Sequence, residues 1–548
     1  IHFCSVQRER ERERLKKKRK TSFRRERERE REREMAKLTQ FYSPFVAFTF
    51  FCNFMLGTGV LTLPYAFSSG GLVLGSTFVV IFCFLAFVTA TFELETMSIC
   101  NYVRRSNSNK DPLLVDDVVA DVEEEGEKTE EIKKTTNTAF SLSERIELNE
   151  MVEMLFKDSS NEGKRSKWNL ALMIFLNASL IIYLTGTMAT YSALIASTFK
   201  SLITDRIANI DSYYIFMAVT VCIGAPLSFG NFQNTKYIQI VICAARFSVY
   251  TIMVITTAVY FFQGDVDNNN DHPKDFDKYY VNFSGISSLY GNIVFTFMTH
   301  HSLPGLLSPI RPERHIKKVL ATSLMFCGAA YIILCSFGML AFWNAPILDK
   351  DRCGDNSEPC RIMETYNLNF SSYHLKWIGY YIEGYPLLML MLFPLVAITL
   401  RNNTREFVAF LKRSFGGEGD AETLSEALIL GPDNRATTLA MGGRRTNFSS
   451  ENMIYTASAI LPAVAIATAF ENVQDITHYT GAFAGLMVMF VTPSVLVLRA
   501  RSTLRKERIV DDDFELKSPF RSDCWAYFIL IVALACFTFT TVNVCMGH

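Results

Sequence analysis

The chain has 548 residues, 49% of them apolar, with 45 Phe, 22 Tyr and a mean hydropathy of +0.15. Its apolar residues gather in long runs such as 71–92 and 387–400, and a helix needs ~20 of them to cross a hydrocarbon layer of ~30 Å. A soluble enzyme is therefore excluded, as is a β-barrel, whose strands alternate between lipid-facing and lumen-facing residues. The fold class is all-α, a polytopic membrane protein. The formal net charge of zero hides an uneven distribution, because residues 1–34 hold 15 Lys/Arg against 8 Asp/Glu.

In chain order, residues 1–34 are tracts of alternating Arg and Glu that open on Ile. Such a low-complexity segment carries no fold information. We expect translated leader sequence ahead of Met35; the other reading is a charged cytosolic tail. Hydropathy then gives eleven candidate spans, near 44–66, 72–97, 169–198, 212–229, 236–263, 286–309, 316–343, 375–400, 452–470, 476–499 and 523–545. The organisation is accordingly 35–100 (two spans), 101–168 (a soluble loop) and 169–548 (nine spans). Basic residues cluster at Arg311, Arg314, Lys317 and Lys318, and again at Arg499, Arg501, Arg505, Lys506 and Arg508. The positive-inside bias then puts these loops and the N-terminus in the cytosol.

The first half of 101–168 is acidic without an aromatic residue and reads as disordered. Its second half opens with Ser141-x-x-Glu144, the pattern of a capping box. Leu148, Met151, Val152 and Leu155 then share one helical face. The loop between the seventh and eighth spans carries Cys353, Cys360 and the acceptor Asn369-Phe-Ser, and the loop between the fifth and sixth carries Asn282-Phe-Ser. Disulfides and N-glycans belong to the lumenal or extracellular side. A Cys353–Cys360 bridge and glycans on Asn282 and Asn369 are the expectation.

Two spans carry the informative chemistry. The first contains Asn53, then Gly57-Thr58-Gly59, then Pro64. Glycines weaken a helix and proline removes a backbone donor, and unpaired backbone at membrane depth persists only where it lines a cavity or binds something. Close packing through small residues is the competing account. The sixth span repeats the interruption with Gly291, Asn292, Thr296, Phe297, Thr299, His300, His301, Pro304 and Gly305. Interrupted segments at corresponding positions of two five-helix sets point to the binding site of an inverted-repeat transporter. Exposed N–H groups at half-helix N-termini suit a substrate carboxylate.

These residues carry a resemblance. Asn53…Gly57-x-Gly59…Leu61…Pro64-x-Ala66-Phe67 resembles the first-helix signature of the amino acid/auxin permease family, the group of the sodium-coupled neutral amino acid transporters. Phe297…His300…Pro304 is similar to that family's sixth helix. Within it, FYSPFVAFTFFCNFMLGTGVLTLPYAF, the SERIELNEM helix and HHSLPGLLSPI are most similar to the transmembrane protein 104 family. The resemblance runs from Met35 to the C-terminus. It implies a five-plus-five inverted repeat with discontinuous helices 1 and 6, an appended eleventh helix, and amino acid transport.

One departure bears on coupling. In sodium-using relatives a cation sits between span 1 carbonyls and span 8 hydroxyls, yet residues 380–398 here contain no Ser or Thr. A hard cation wants oxygen ligands, so proton coupling through His300 or Glu383, or no coupling, replaces sodium as the expectation. A packing or gate role for His300 stands beside that reading. Arg246 in the fifth span and Glu93 and Glu95 in the second read either as a cytosolic gate ion pair or as side chains snorkelling to the interface. No nucleotide loop, metal-ligand cluster or nucleophile–base set is present, so no enzyme activity, cofactor, metal or nucleic-acid partner is expected. The expected function is a secondary transporter that moves a small amino acid by alternating access. Asn53, Gly57, Thr58, Gly59, Asn292, Thr296, Phe297, Thr299 and His300 would hold the substrate. A non-transporting amino acid sensor, signalling to a cytosolic partner through 101–168, is the alternative from another class. Lipid is the surrounding partner, in a plasma or endolysosomal membrane.

Overall fold

The computed structural model describes residues 41–108, 139–156, 167–204, 213–229, 236–263, 280–342, 362–370, 375–415, 450–470, 472–506 and 514–546. The expected leader, the acidic half of the 101–168 loop, and Cys353 and Cys360 lie outside the described residues. Within the described residues the regular structure is helical, and a parallel bridge between Tyr42 and Ile310 is the sole β contact. That follows from the medium, since a helix satisfies its own backbone groups where water cannot.

The chain enters at Ser43, whose hydroxyl caps α1 (Pro44–Met55) by accepting from Val46 N, with Pro44 at the first helical position. A three-residue gap and a 55° bend separate α1 from α2 (Gly59–Gly70). Gly71, at φ +88°, then turns the chain into α3 (Leu72–Ser108). No side chain fits there, because a Cβ would meet the Tyr280 carbonyl at 2.7 Å. With 37 residues, α3 runs roughly 55 Å and outlasts the hydrocarbon layer.

The short α4 (Leu148–Phe156) precedes α5 (Lys167–Thr204), α6 (Tyr213–Leu227) and α7 (Lys236–Gln263). The sixth expected span is split into α8 (Ile286–Phe297), a 3-10 turn (His300–Ser302) and α9 (Leu303–Leu307). After α10 (Ile316–Phe342), the eighth is broken as well, into α11 (Lys376–Glu383), a 3-10 stretch (Tyr385–Met391) and α12 (Phe393–Phe415). Gly384 weakens the helix at that point, and Pro386 and Pro394 each remove a backbone donor. α13 (Ser450–Ala469), α14 (Val473–Tyr479), two π-helical turns over 480–491, α15 (Thr492–Lys506) and α16 (Asp523–Cys545) complete the bundle.

Helix stands at all eleven expected positions, but length and apolar composition qualify seven stretches to cross a membrane, or eight with α1 and α2 as one bent span. α6 and α13 are shorter apolar helices, and the sixth span is in pieces; those three make the difference.

Helices 2, 8 and 14 meet at the centre of the bundle, and α10 packs along α1, α2 and α3. Gly291 of α8 and Gly481 just beyond α14 bring two backbones into contact, with no room for a Cβ on Gly481.

The 139–156 segment docks across one end of the bundle. Arg104 pairs with Glu144 at 2.9 Å and with Glu150, and Arg105 donates to Ala139 O, Ser141 O and Ser141 Oγ. Arg311 reaches Leu142 O, Arg499 reaches Leu155 O, and Arg413 meets Glu153. The expected capping box is not formed. Helix begins only at Leu148, while Ser141 and Glu144 are turned toward Arg105, Arg104 and Asn101. Leu148, Met151, Val152, Leu155 and Phe156 are buried against the helices beneath.

Candidate functional site

The first break is a set of carbonyls that lost their helical partners. Past Met55 the chain leaves helical geometry at Leu56 (φ −73°, ψ 45°), and helix resumes at Gly59. The last carbonyls of any helix have no partner of its own backbone, and here side chains from three other spans supply donors. The Tyr331 hydroxyl of α10 donates to Met55 O at 2.6 Å. Tyr385, in the 3-10 stretch of the eighth span, donates to Leu56 O at 2.8 Å and Gly57 O at 3.1 Å. Arg246 of α7 donates from Nη1 to Asn53 O at 2.9 Å and to Asn53 Oδ1 at 3.4 Å.

The second break lies against the first. Helix α8 ends at Phe297, Met298 is extended (φ −70°, ψ 101°), and the 3-10 turn begins at His300. A Cβ on Gly59 would stand 2.5 Å from Thr296 Cγ2, 2.6 Å from Thr296 Oγ1 and 2.7 Å from the Tyr331 hydroxyl. Glycine at 59 is therefore what lets the two interrupted helices touch. The Phe297 ring sits edge-on to Tyr331 at 5.9 Å. His300 is fully buried, with Nε2 2.9 Å from Thr89 Oγ1 of α3. His301 packs between Phe54 and Tyr183, at 5.4 and 5.3 Å.

Several polar atoms at this crossing are buried without a hydrogen-bond partner among the described residues: Thr296 Oγ1, His300 Nδ1, His301 Nδ1 and Arg246 Nε. Buried polar atoms are rarely left unpaired in a finished protein interior. Four of them gather around the two helix breaks.

The family can now be assigned. The family model described as "transmembrane amino acid transporter protein" matches residues 42–347, which include both breaks at the crossing. The chain belongs to that family. It is also 25% identical to human Transmembrane protein 104 over 542 residues, covering 93% of this chain and 98% of that protein. A Dictyostelium discoideum relative, Transmembrane protein 104 homolog, is 26% identical over 92% of this chain and 98% of its own length. A Drosophila melanogaster protein of the same name is 27% identical over 92% and 97%. These names specify no substrate.

Of the residues expected to bind substrate, Gly57, Thr58, Gly59, Thr296, Phe297, Thr299 and His300 lie in or directly beside the two breaks. Asn53 does too, one turn before the gap and already engaged by Arg246. Asn292 does not reach the gap. Its amide donates to Ser288 O and accepts from Thr477 Oγ1 at 2.7 Å, so it ties α8 to α14. Glu383 is buried at the end of α11, where it accepts from Ser201 of α5.

The expected gate ion pair is not made. Glu95 pairs instead with Arg501 of α15, by two parallel bonds of 2.8 Å, and accepts from Ser518 N at 3.2 Å. Both carboxylate oxygens of Glu93 lack a partner among the described residues, although the residue is buried. Arg246 points to the break rather than to either glutamate. Nor do the three snorkel, for all are 1–2% exposed. Sequence reasoning missed the tyrosines at 331 and 385; Tyr385 had a signal in its position between Gly384 and Pro386, and Tyr331 had none.

The acceptor Asn369 is also corrected. It is 1% exposed, its amide nitrogen donates to Tyr366 O at 2.9 Å, and its oxygen accepts from Met363 N at 3.1 Å. A glycan cannot be accommodated on it in this fold. Asn282 is half-buried, with its amide nitrogen donating to Ser69 O at 2.9 Å.

Proposed function

We propose that this protein moves a small amino acid across its membrane by alternating access, with the substrate held where the two interrupted helices cross. The observation that carries the reading is the cluster of buried, unpartnered polar atoms at that crossing: Thr296 Oγ1, His300 Nδ1 and Arg246 Nε. Backbone N–H groups at the start of α2 and side chains of the second break would hold the substrate's polar ends. The helices around them would then rock so that the crossing opens to each side in turn.

Coupling to a proton, or no coupling, fits this site better than coupling to sodium. The eighth span presents a thioether and a phenol to the first break and no aliphatic hydroxyl. His300, free at Nδ1, and Glu383 are the proton carriers in this scheme. The N-terminus is assigned to the cytosol from the basic loops, the glycan to Asn282, and the membrane to the cell surface or the endolysosomal system.

Counterflow in liposomes tests the reading. Protein beginning at Met35 is reconstituted, the vesicles are loaded with pooled unlabelled amino acids, and uptake of each labelled amino acid is followed with and without a pH gradient. Accumulation of one or a few amino acids supports transport, and its response to the gradient separates proton coupling from uncoupled exchange. Binding of amino acids without any counterflow overturns the transporter and leaves a sensor.

A further inference from the structure

The fifth span places a permanent positive charge in the interior of this protein. Arg246 is 2% exposed, and no carboxylate among the described residues lies within ion-pair distance of its guanidinium. Two of its nitrogens are occupied by neutral partners. Nη1 donates to Asn53 O and Asn53 Oδ1, and Nη2 lies 2.9 Å from Met389 Sδ in the eighth span. The third, Nε, has no acceptor. A thioether is a weak acceptor, so most of the charge is unanswered.

A guanidinium cannot escape by losing its proton, and a buried unpaired ion is costly in any protein interior and more so in a membrane. Proteins keep such a charge where an anion arrives. The carbonyls that could otherwise hold a cation are meanwhile taken: Met55 O by Tyr331, Leu56 O and Gly57 O by Tyr385, Asn53 O by Arg246 itself. With donors already on these carbonyls and a fixed guanidinium 2.9 Å from one of them, the first break disfavours an inorganic cation and suits a carboxylate. Gly57 keeps the approach narrow but open, for a Cβ there would stand 3.8 Å from Arg246 Nη1.

We propose that Arg246 is the specificity-determining residue of this site, the resident counter-charge for the substrate's carboxylate, standing where a coupling metal ion would otherwise bind. The proposal rests on the transporter reading above. It assigns recognition of the carboxylate to a fixed side-chain charge and leaves backbone N–H groups a secondary part. It requires that substrates carry a free carboxylate and that replacing sodium leave affinity unchanged.

The test is a thermal-shift titration of the purified full-length protein in detergent, paired with counterflow in liposomes. The probes are an equimolar pool of the twenty amino acids, the matching pool of amino acid amides, and single members thereafter, in sodium and in choline buffer. For wild-type protein the amino acid pool raises the melting temperature, the amide pool does not, and choline changes neither. Arg246→Lys retains the response with a higher half-saturating concentration. Arg246→Met, isosteric in its stem but uncharged, melts cooperatively and needs roughly 30-fold or more ligand, as expected when one partner of a buried charge pair is removed.

Equal response to the amide pool overturns the proposal without any variant, so it stays falsifiable should Arg246→Met fail to fold. An unchanged half-saturating concentration in Arg246→Met, or a dependence on sodium in wild type, overturns it as well. Wild-type protein that answers neither pool and shows no counterflow refutes the transporter reading itself, and this proposal with it.

Discussion

Gly57 and Gly59 look equivalent in the sequence, yet the fold asks different things of them. At Gly57 a Cβ would meet Phe54 O at 3.3 Å, a tight contact relieved by a shift of a few tenths of an ångström, and Arg246 Nη1 at an ordinary 3.8 Å. At Gly59 it would stand 2.5–2.7 Å from Thr296 and Tyr331, so those groups must retreat by about 1 Å. Overpacking of that size costs ~1–3 kcal/mol. Gly59→Ala is therefore expected to lower stability by that amount and Gly57→Ala by well under half of it. If the strain falls on the closed crossing alone, the same energy shifts the balance between conformations by roughly 5- to 150-fold, and counterflow changes with it. Thr296→Ala removes both Thr296 atoms that crowd position 59, so Gly59→Ala/Thr296→Ala should regain part of the stability, with the Tyr331 hydroxyl limiting the recovery. The assay is thermal unfolding of the four purified variants in one detergent, followed by counterflow for those that fold. Refutation would be a Gly57→Ala variant damaged as much as Gly59→Ala, or a double variant no more stable than Gly59→Ala.

Three further outcomes follow from named contacts. Glu95→Ala leaves the buried Arg501 guanidinium without its bidentate partner, with Asp523 at 3.2 Å as its remaining carboxylate, so the loss should be at or below ~3 kcal/mol, whereas Glu95→Met/Arg501→Met should melt much closer to wild type; equal damage in both would argue against the pair. Arg104→Ala/Arg105→Ala removes the arginine ties of 139–156 to α3 and leaves those of Asn101; each is partly exposed and weak alone, so global melting should move little while amide exchange over 142–156 accelerates at least ~10-fold. In cells, the glycosidase-sensitive mobility shift should vanish in Asn282→Gln and persist in Asn369→Gln; a shift that depends on Asn369 would contradict its burial.

Much of the fold was legible in the sequence because the membrane imposes it. A solvent that cannot hydrogen-bond leaves helix as the way to cross, so the long apolar runs and the positions of the helices followed from composition and period. The interruptions at Gly57–Gly59 and at Thr296–Pro304 were legible too, since glycine and proline act on the backbone locally. The start of α4 was less so. Ser141 and Glu144 have the residue types of a cap, but arginines from α3 compete for them, and local pattern says nothing of a competitor 36 to 40 residues away.

What tertiary structure alone decided is which groups answer which. A sequence shows that Arg246, Glu93, Glu95 and Arg501 are charges near or within spans, and the nearest assignment pairs Arg246 with the glutamates. The fold instead gives Glu95 to Arg501, 406 residues away in the chain, and turns Arg246 onto the carbonyl of Asn53. The hydroxyls of Tyr331 and Tyr385 reach the same break from two further spans. Partnership across a bundle depends on how helices are rotated and how deep each residue sits, quantities that no single helix encodes. The sequence therefore determined where the first helix is weakest; the packing of spans 5, 7 and 8 around it decided which side chains meet the broken backbone.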